Sequence, residues 1–121
     1  MADGKWSPRD ATDEIRAMAR EQHLTISYKR HATEQMADRG LIISDVLYVL
    51  KNGFVYREGQ NSTRAGYHKY AMENRSPNGG NRDVRVVVIP DKATCELKII
   101  TVMWVDEKQT VAGSIVGEKD G

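Results

Sequence analysis

The sequence predicts an α+β domain in which short helices pack on one face of a four-stranded antiparallel meander. Three observations carry this. The apolar period changes from helical to strand-like at Gly53. Upstream of it, Gly40 divides two short amphipathic segments, His31–Arg39 and Ser44–Asn52. Downstream, the strand-like segments follow one another through connections too short for a crossover, so pairing in chain order is the simplest topology.

At 121 residues, 40% of them hydrophobic, the chain has enough apolar surface for one modest core. No run approaches the roughly 18 apolar residues a membrane span needs. The N-terminal MADGKWSPRD has no hydrophobic signal region, so no membrane role and a cytoplasmic location are expected. Cys95 is the single cysteine, which excludes an internal disulfide and reads as a small buried strand residue.

Ser7-Pro8-Arg9-Asp10 has the order of a helix start: a capping hydroxyl, a proline suited to the first helical position, and an acid at the positive end. Ile15, Met18 and Ala19 continue an apolar stripe, so a helix is predicted from Pro8 to Gln22. Thr25–Tyr28 reads as an extended entry to the next helix. The His31–Arg39 helix carries Ala32 and Met36, four apart, on its apolar side, and Gly40 ends it. Ser44 is the expected cap of the following helix, whose Val46, Leu47, Val49 and Leu50 face the core. Four strands follow at Phe54–Glu58, Gly66–Glu73, Val84–Pro90 and Cys95–Val105, with a long loop at Asn74–Asn81. The expected organisation is a helical extension over 1–25, the α+β domain over 26–106, and a disordered tail over 107–121.

Closing Asp91–Thr94 as a hairpin with Pro90 opposite Cys95 sets Val88 against Leu97, Val86 against Ile99 and Val84 against Thr101. These residues, with Leu47 and Leu50, form the predicted core. The other sheet face then carries Arg85, Val87, Ile89, Lys98, Ile100, Val102 and Trp104. Pairing Glu73 with Asp83 adds Tyr67 and Lys69, and the register of the next loop adds Arg57. Such a surface is too apolar to stand bare, so either the N-terminal helix or a partner is expected to cover it.

The net charge of +1 hides a local excess. Between Arg57 and Arg85 there are six basic residues against three acids. Arginine forks give bidentate contacts to phosphate and tyrosine stacks on bases, so Arg57, Tyr67, Lys69 and Lys98 are the candidate RNA contacts. A solvated polar sheet face explains the same residues equally. His31, with Glu34 three residues on, is a candidate acid–base pair, and a capping or packing histidine is the alternative. The chain has no phosphate-binding glycine loop, no nucleophile elbow, and no ligand spacing that calls for a metal or other cofactor.

The pattern His31-Ala32-x-Glu34-x-Met36-x-x-Arg39-Gly40, then Asp45-Val46 through Asn52-Gly53, Val84–Val88 and Ile100–Trp104, resembles a family of unknown function. That family is grouped with BrnT in the RelE/ParE-like toxin superfamily, and the resemblance covers roughly residues 26–105. It implies a RelE-like arrangement, a ribonuclease of the toxin type that acts on RNA without a metal, and a small antitoxin-like protein as partner. His31, Glu34 and Arg39 match the recurrent polar helix residues, whereas Gln35 stands where the family usually has arginine. With Arg85 added to stabilise phosphorane charge, the candidate catalytic set is His31, Glu34, Arg39 and Arg85. The alternatives are a non-catalytic RNA- or protein-binding module on the same fold, and a small domain with no nucleic-acid role.

Overall fold

The computed structural model describes residues 5–75, 80 and 82–107, together with the backbone of 110–111 and 114–115. Helix α1 (Pro8–Ala19) begins as the sequence predicts: the Ser7 hydroxyl accepts the Asp10 N–H at 3.1 Å. It ends three residues earlier than expected, at Ala19. A strand, β1 (Thr25–Tyr28), leads into α2 (Arg30–Arg39). Gly40 closes α2 at φ +68°, a left-handed position that a side chain would strain.

Helix α3 (Ile43–Asn52) corrects the expected cap. The buried Asp45 carboxylate accepts the Ile42 N–H at 2.9 Å, and Ser44 is simply a first-turn residue. An acid at that place satisfies an orphan donor and sits well in the helix dipole. At the other end, the carbonyls of Lys51, Asn52 and Gly53 accept from α1 and its C-cap residue: Arg16 reaches Asn52 and Gly53 at 3.0 and 2.8 Å, and Arg20 reaches Lys51 at 2.7 Å. Gly53 itself permits the turn into the sheet, because a Cβ there would lie 2.6 Å from the Val49 carbonyl and 2.9 Å from that of Glu73.

The remaining strands are β2 (Phe54–Val55), β3 (Gln60–Asn61), β4 (His68–Arg75), β5 (Asp83–Asp91) and β6 (Glu96–Trp104), followed by a small β7 (Thr110–Val111) and β8 (Ser114–Ile115) pair. The α+β class holds. The four-stranded meander gives way to a six-stranded sheet in the order β1-β6-β5-β4-β2, with β3 also on β4. β4, β5 and β6 are antiparallel neighbours in chain order, as predicted. β1, however, runs parallel to β6, pairing Thr25 with Glu96 through Tyr28 with Ile99. Four residues of entry segment suffice to fill the open hydrogen-bonding edge of β6. The predicted Phe54–Glu58 strand keeps two residues. The expected long loop lies largely outside the described residues; of the expected tail over 107–121, Glu107 and the backbone of the β7–β8 pair are described, and the rest lies outside.

The hairpin register differs from the predicted one by two residues, which preserves sidedness, and then by three. Val88 pairs with Ile99 but Val87 with Thr101, so Ile100 is an extra residue in a bulge. The bulge returns Val102 and Trp104 to the inner face and turns Thr101 outward, reversing the sequence prediction for all three. Val84, Val86, Val88, Leu97, Ile99 and Val102 are fully buried with Leu50, Val46 and Val49. Leu47 is only half-buried. Ala11, Ile15 and Met18 of α1 join the same core, so α1 lies on the inner side with α2 and α3 and does not cover the outer face. Trp6, before α1, stacks on Tyr70 at 5.7 Å and donates its backbone N–H to that hydroxyl at 2.8 Å.

Candidate functional site

Side chains alternate across the strands, so the outer face follows from the register. Glu73 pairs with Arg85, which pairs with Met103. Ala71 pairs with Val87, which pairs with Thr101. Ile89 pairs with Lys98, whose other neighbour is Ser27. Tyr67 and Lys69 stand on the same side at the start of β4, Lys69 opposite Gln60. Tyr67, Lys69, Arg85 and Lys98 therefore share the open face, as the sequence predicts. Arg57 is exposed in the irregular stretch between β2 and β3.

Most polar groups on this face are engaged. The Arg85 guanidinium donates to Glu73 at 2.8 Å, with both side chains more than four-fifths buried. The Tyr67 hydroxyl donates to Asp91 at 3.3 Å while Arg64 covers its ring at 4.4 Å. Ser27 donates to Glu96 at 3.0 Å. The ammonium groups of Lys69 and Lys98 have no hydrogen-bond or ion-pair partner among the described residues. Three cations and three carboxylates balance on the central face. Excess positive charge lies instead towards the β2 edge, where Arg16, Arg57 and Arg75 outnumber Asp83 and Glu58.

That edge holds two residues the sequence reading passed over. Phe54 and Tyr56 are 46% and 65% exposed, and their rings stack at 6.0 Å. Their signal was present as aromatics at i and i+2, but a two-residue edge strand gives no period by which to place them.

The α2 residues lie across the sheet from Arg85. His31 is exposed near the start of α2. Glu34 accepts from Arg30 at 3.1 Å rather than orienting His31. Arg39 makes a two-pronged bond to Glu107, which also accepts the Trp104 N–H at 3.2 Å. The Arg39 hydrogen bond holds the Glu107 carboxyl below the usual glutamate range, against the opposing effect of burial. Gln35 serves the sheet, since its Oε1 accepts the Val102 N–H at 3.0 Å, just past the bulge. Arginine has donors only and cannot take that bond. His31, Glu34 and Arg39 thus share a helix, and Arg85 is not brought to them. Between α2 and α3 an open apolar groove of about 570 Å³ is lined by Tyr28, Met36, Ala37, Leu41, Ile42 and Ile43.

Residues 28–104 match the family described as domain of unknown function DUF4258. The chain belongs to the DUF4258 family. No curated protein and no solved structure matches it. The DUF4258 segment contains α2, α3, the outer-face cations and the edge aromatics, and it begins at Tyr28, within β1. Helix α1, whose arginines cap α3, lies outside it. Among the described residues no group of three or more acids, histidines and cysteines could hold a metal ion, and no helix is long and apolar enough to cross a membrane.

Proposed function

We propose that this DUF4258 chain is an RNA-binding module that lays a single strand across its uncovered sheet face, on a fold related to BrnT and the RelE/ParE-like toxins. The supporting observation is that, among the described residues, Lys69 and Lys98 have no partners and stand on a face that no helix covers. Apolar Val87 and Ile89, with Thr101, lie between and beside them, and Arg57 lies towards the edge. The carboxylates that could repel phosphate accept from Arg85, Tyr67 and Ser27.

Three phosphate contacts from Arg57, Lys69 and Lys98 give a modest electrostatic contribution, with a salt slope of about −2 for a single strand. The test is fluorescence anisotropy with a labelled 12-nucleotide RNA, titrated from low to physiological salt. Expected are binding with that slope and a slope reduced by about 0.7 in Lys69→Ala and in Lys98→Ala. No binding at low salt overturns the reading, as does binding without salt dependence.

Cleavage of the toxin type is the second reading. It is favoured by His31, exposed beside Lys29 and Arg30 at the positive end of α2. There His31 would take the 2′-hydroxyl proton as that oxygen attacks the adjacent phosphate, the cations would stabilise the phosphorane, and an acid would protonate the departing 5′-oxygen. His31→Ala should then slow RNA cleavage by roughly 10²–10⁴-fold with the fold intact. RNA left whole by the wild-type protein, alone and with ribosomes, overturns cleavage and leaves binding standing. In this second reading a small antitoxin-like protein blocks the RNA site, so its addition should suppress both binding and cleavage.

A further inference from the structure

We infer that Phe54 and Tyr56 form a stacking platform for unpaired bases at the β2 edge of the sheet; this rests on the reading of the chain as an RNA binder. Singly exposed apolar side chains are ordinary, whereas stacked neighbours such as these make a contiguous patch of the kind that marks binding sites. Here neither is needed by the core. Val55, between them, is buried and carries the inner-face packing of β2, and its N–H is held by the Thr12 hydroxyl at 2.8 Å. Gly53 before them is fixed by its contacts with α3 and β4. The backbone at Gly53 and Val55 is therefore held from both sides, and the Phe54 and Tyr56 rings are exposed beside it.

Arg16 completes the column. Its guanidinium lies 4.4 Å from the Phe54 ring centre, and it is held there by its bonds to the Asn52 and Gly53 carbonyls. Arg16, Phe54 and Tyr56 thus stand in sequence, a cation and two rings, with Tyr56 the most open. A base added to Tyr56 extends that order, and every base has a ring face to offer, so the platform selects single strands rather than a sequence.

Charge around the column is complementary to phosphate. Phe54 pairs with Glu73, whose charge Arg85 neutralises. Two residues along the same strand face is Arg75, 61% exposed and only loosely opposed by Asp83 at 3.9 Å. Arg57 follows Tyr56 directly, exposed and without a partner among the described residues. Glu58, the one acid in the segment, is opposed by Lys5 at 3.9 Å. Arg16, Arg57 and Arg75 against Asp83 leave an excess of two positive charges beside the rings. This is the feature a purely hydrophobic docking patch for another protein lacks.

The test uses the full chain, a labelled 12-nucleotide oligouridylate, and inorganic polyphosphate as a baseless competitor. Tyr56→Ala should weaken oligouridylate binding by about tenfold, the loss of one stacked base, and Phe54→Ala, which removes the ring that Tyr56 stacks on, should weaken it by a smaller factor. The salt slope should stay unchanged, since no ionic contact is removed, and polyphosphate affinity should stay at the wild-type value. Tyr56→Trp should bind at least as well as wild type, and because Tyr56 is exposed its variants test binding rather than folding. Wild-type affinity in both alanine variants, with weakened binding in Lys69→Ala and Lys98→Ala, overturns the platform while the sheet-face reading survives. Loss of polyphosphate binding in Tyr56→Ala also overturns it, as does a dimer in sedimentation that Tyr56→Ala dissolves while RNA binding is unaffected. Absence of RNA binding by the wild-type protein overturns the underlying reading instead.

Discussion

The two faces of the sheet are made from alternate residues of the same strands, and they follow different rules. On the inner face Val84, Val86, Val88, Leu97, Ile99 and Val102 are fully buried beneath three helices. On the outer face Arg85, Val87, Ile89 and Thr101 keep some exposure, with no helix above them among the described residues. One face is specified by volume and burial, where a lost methylene is felt directly. The other is specified by which charges are internally paired and which are left over. A substitution of similar size should therefore change stability on the inner side and binding on the outer side.

The largest expected effect breaks the inner face. Leu50→Ala should cost about 2–5 kcal/mol in chemical denaturation, because the buried site cannot collapse fully. A loss under about 1 kcal/mol would mean that α3 is not held against the sheet as described. Next comes the tie between α2 and the bulge. Gln35→Met keeps the bulk of the side chain but leaves the Val102 N–H without its acceptor, which should cost about 1–3 kcal/mol. Gln35→Glu restores an acceptor and should recover most of that loss. If Gln35→Met is neutral, the bulge does not depend on α2.

Glu107 sharpens the comparison through pH. Its carboxyl is held below the usual range by Arg39, so the folded state binds its proton less readily than the unfolded chain. The contribution is present above the ordinary glutamate range and is lost as pH falls through the lowered value. Glu107→Gln should cost about 1 kcal/mol at neutral pH, less than the ~1.5–3 kcal/mol of a charge-assisted bond, since partial exposure lets water compete. The gap between variant and wild type should close in acid. A gap that is constant from neutral to acid pH would show that the ion pair contributes nothing. The smallest stability effect belongs to the outer face: Lys98→Ala should shift stability by no more than about 0.5 kcal/mol. A larger loss would mean that Lys98 has a structural partner.

Much of this division was legible in the chain. The runs at Val84–Pro90 and Cys95–Val105 showed their period-two alternation, so sidedness survived a pairing register that was wrong by two residues. Gly40 marked the end of α2, and Ser7-Pro8 marked the start of α1, because those signals are local. The bulge at Ile100 left no mark, since Ile100-Thr101-Val102 alternates as well one way as the other. That single extra residue put Val102 and Trp104 inside. The role of Gln35 was hidden as well, since its partner is a backbone N–H just past the bulge, where β1 no longer pairs with β6. Ser44 was the better cap by residue type, yet Asp45 supplied the bond from three positions along.

By itself, the sequence determined the class of fold, the helix boundaries set by Gly40 and Gly53, and the alternation that separates an apolar face from a charged one. These depend on residues close together in the chain, where propensity and period act. The tertiary structure alone decided that β1 joins β6 in parallel, that α1 caps α3, and that Arg85 and Arg39 meet Glu73 and Glu107 rather than His31. Each of those outcomes brings together groups far apart in sequence, chosen because a sheet edge, a helix end or a half-buried charge must find a partner wherever the fold supplies one.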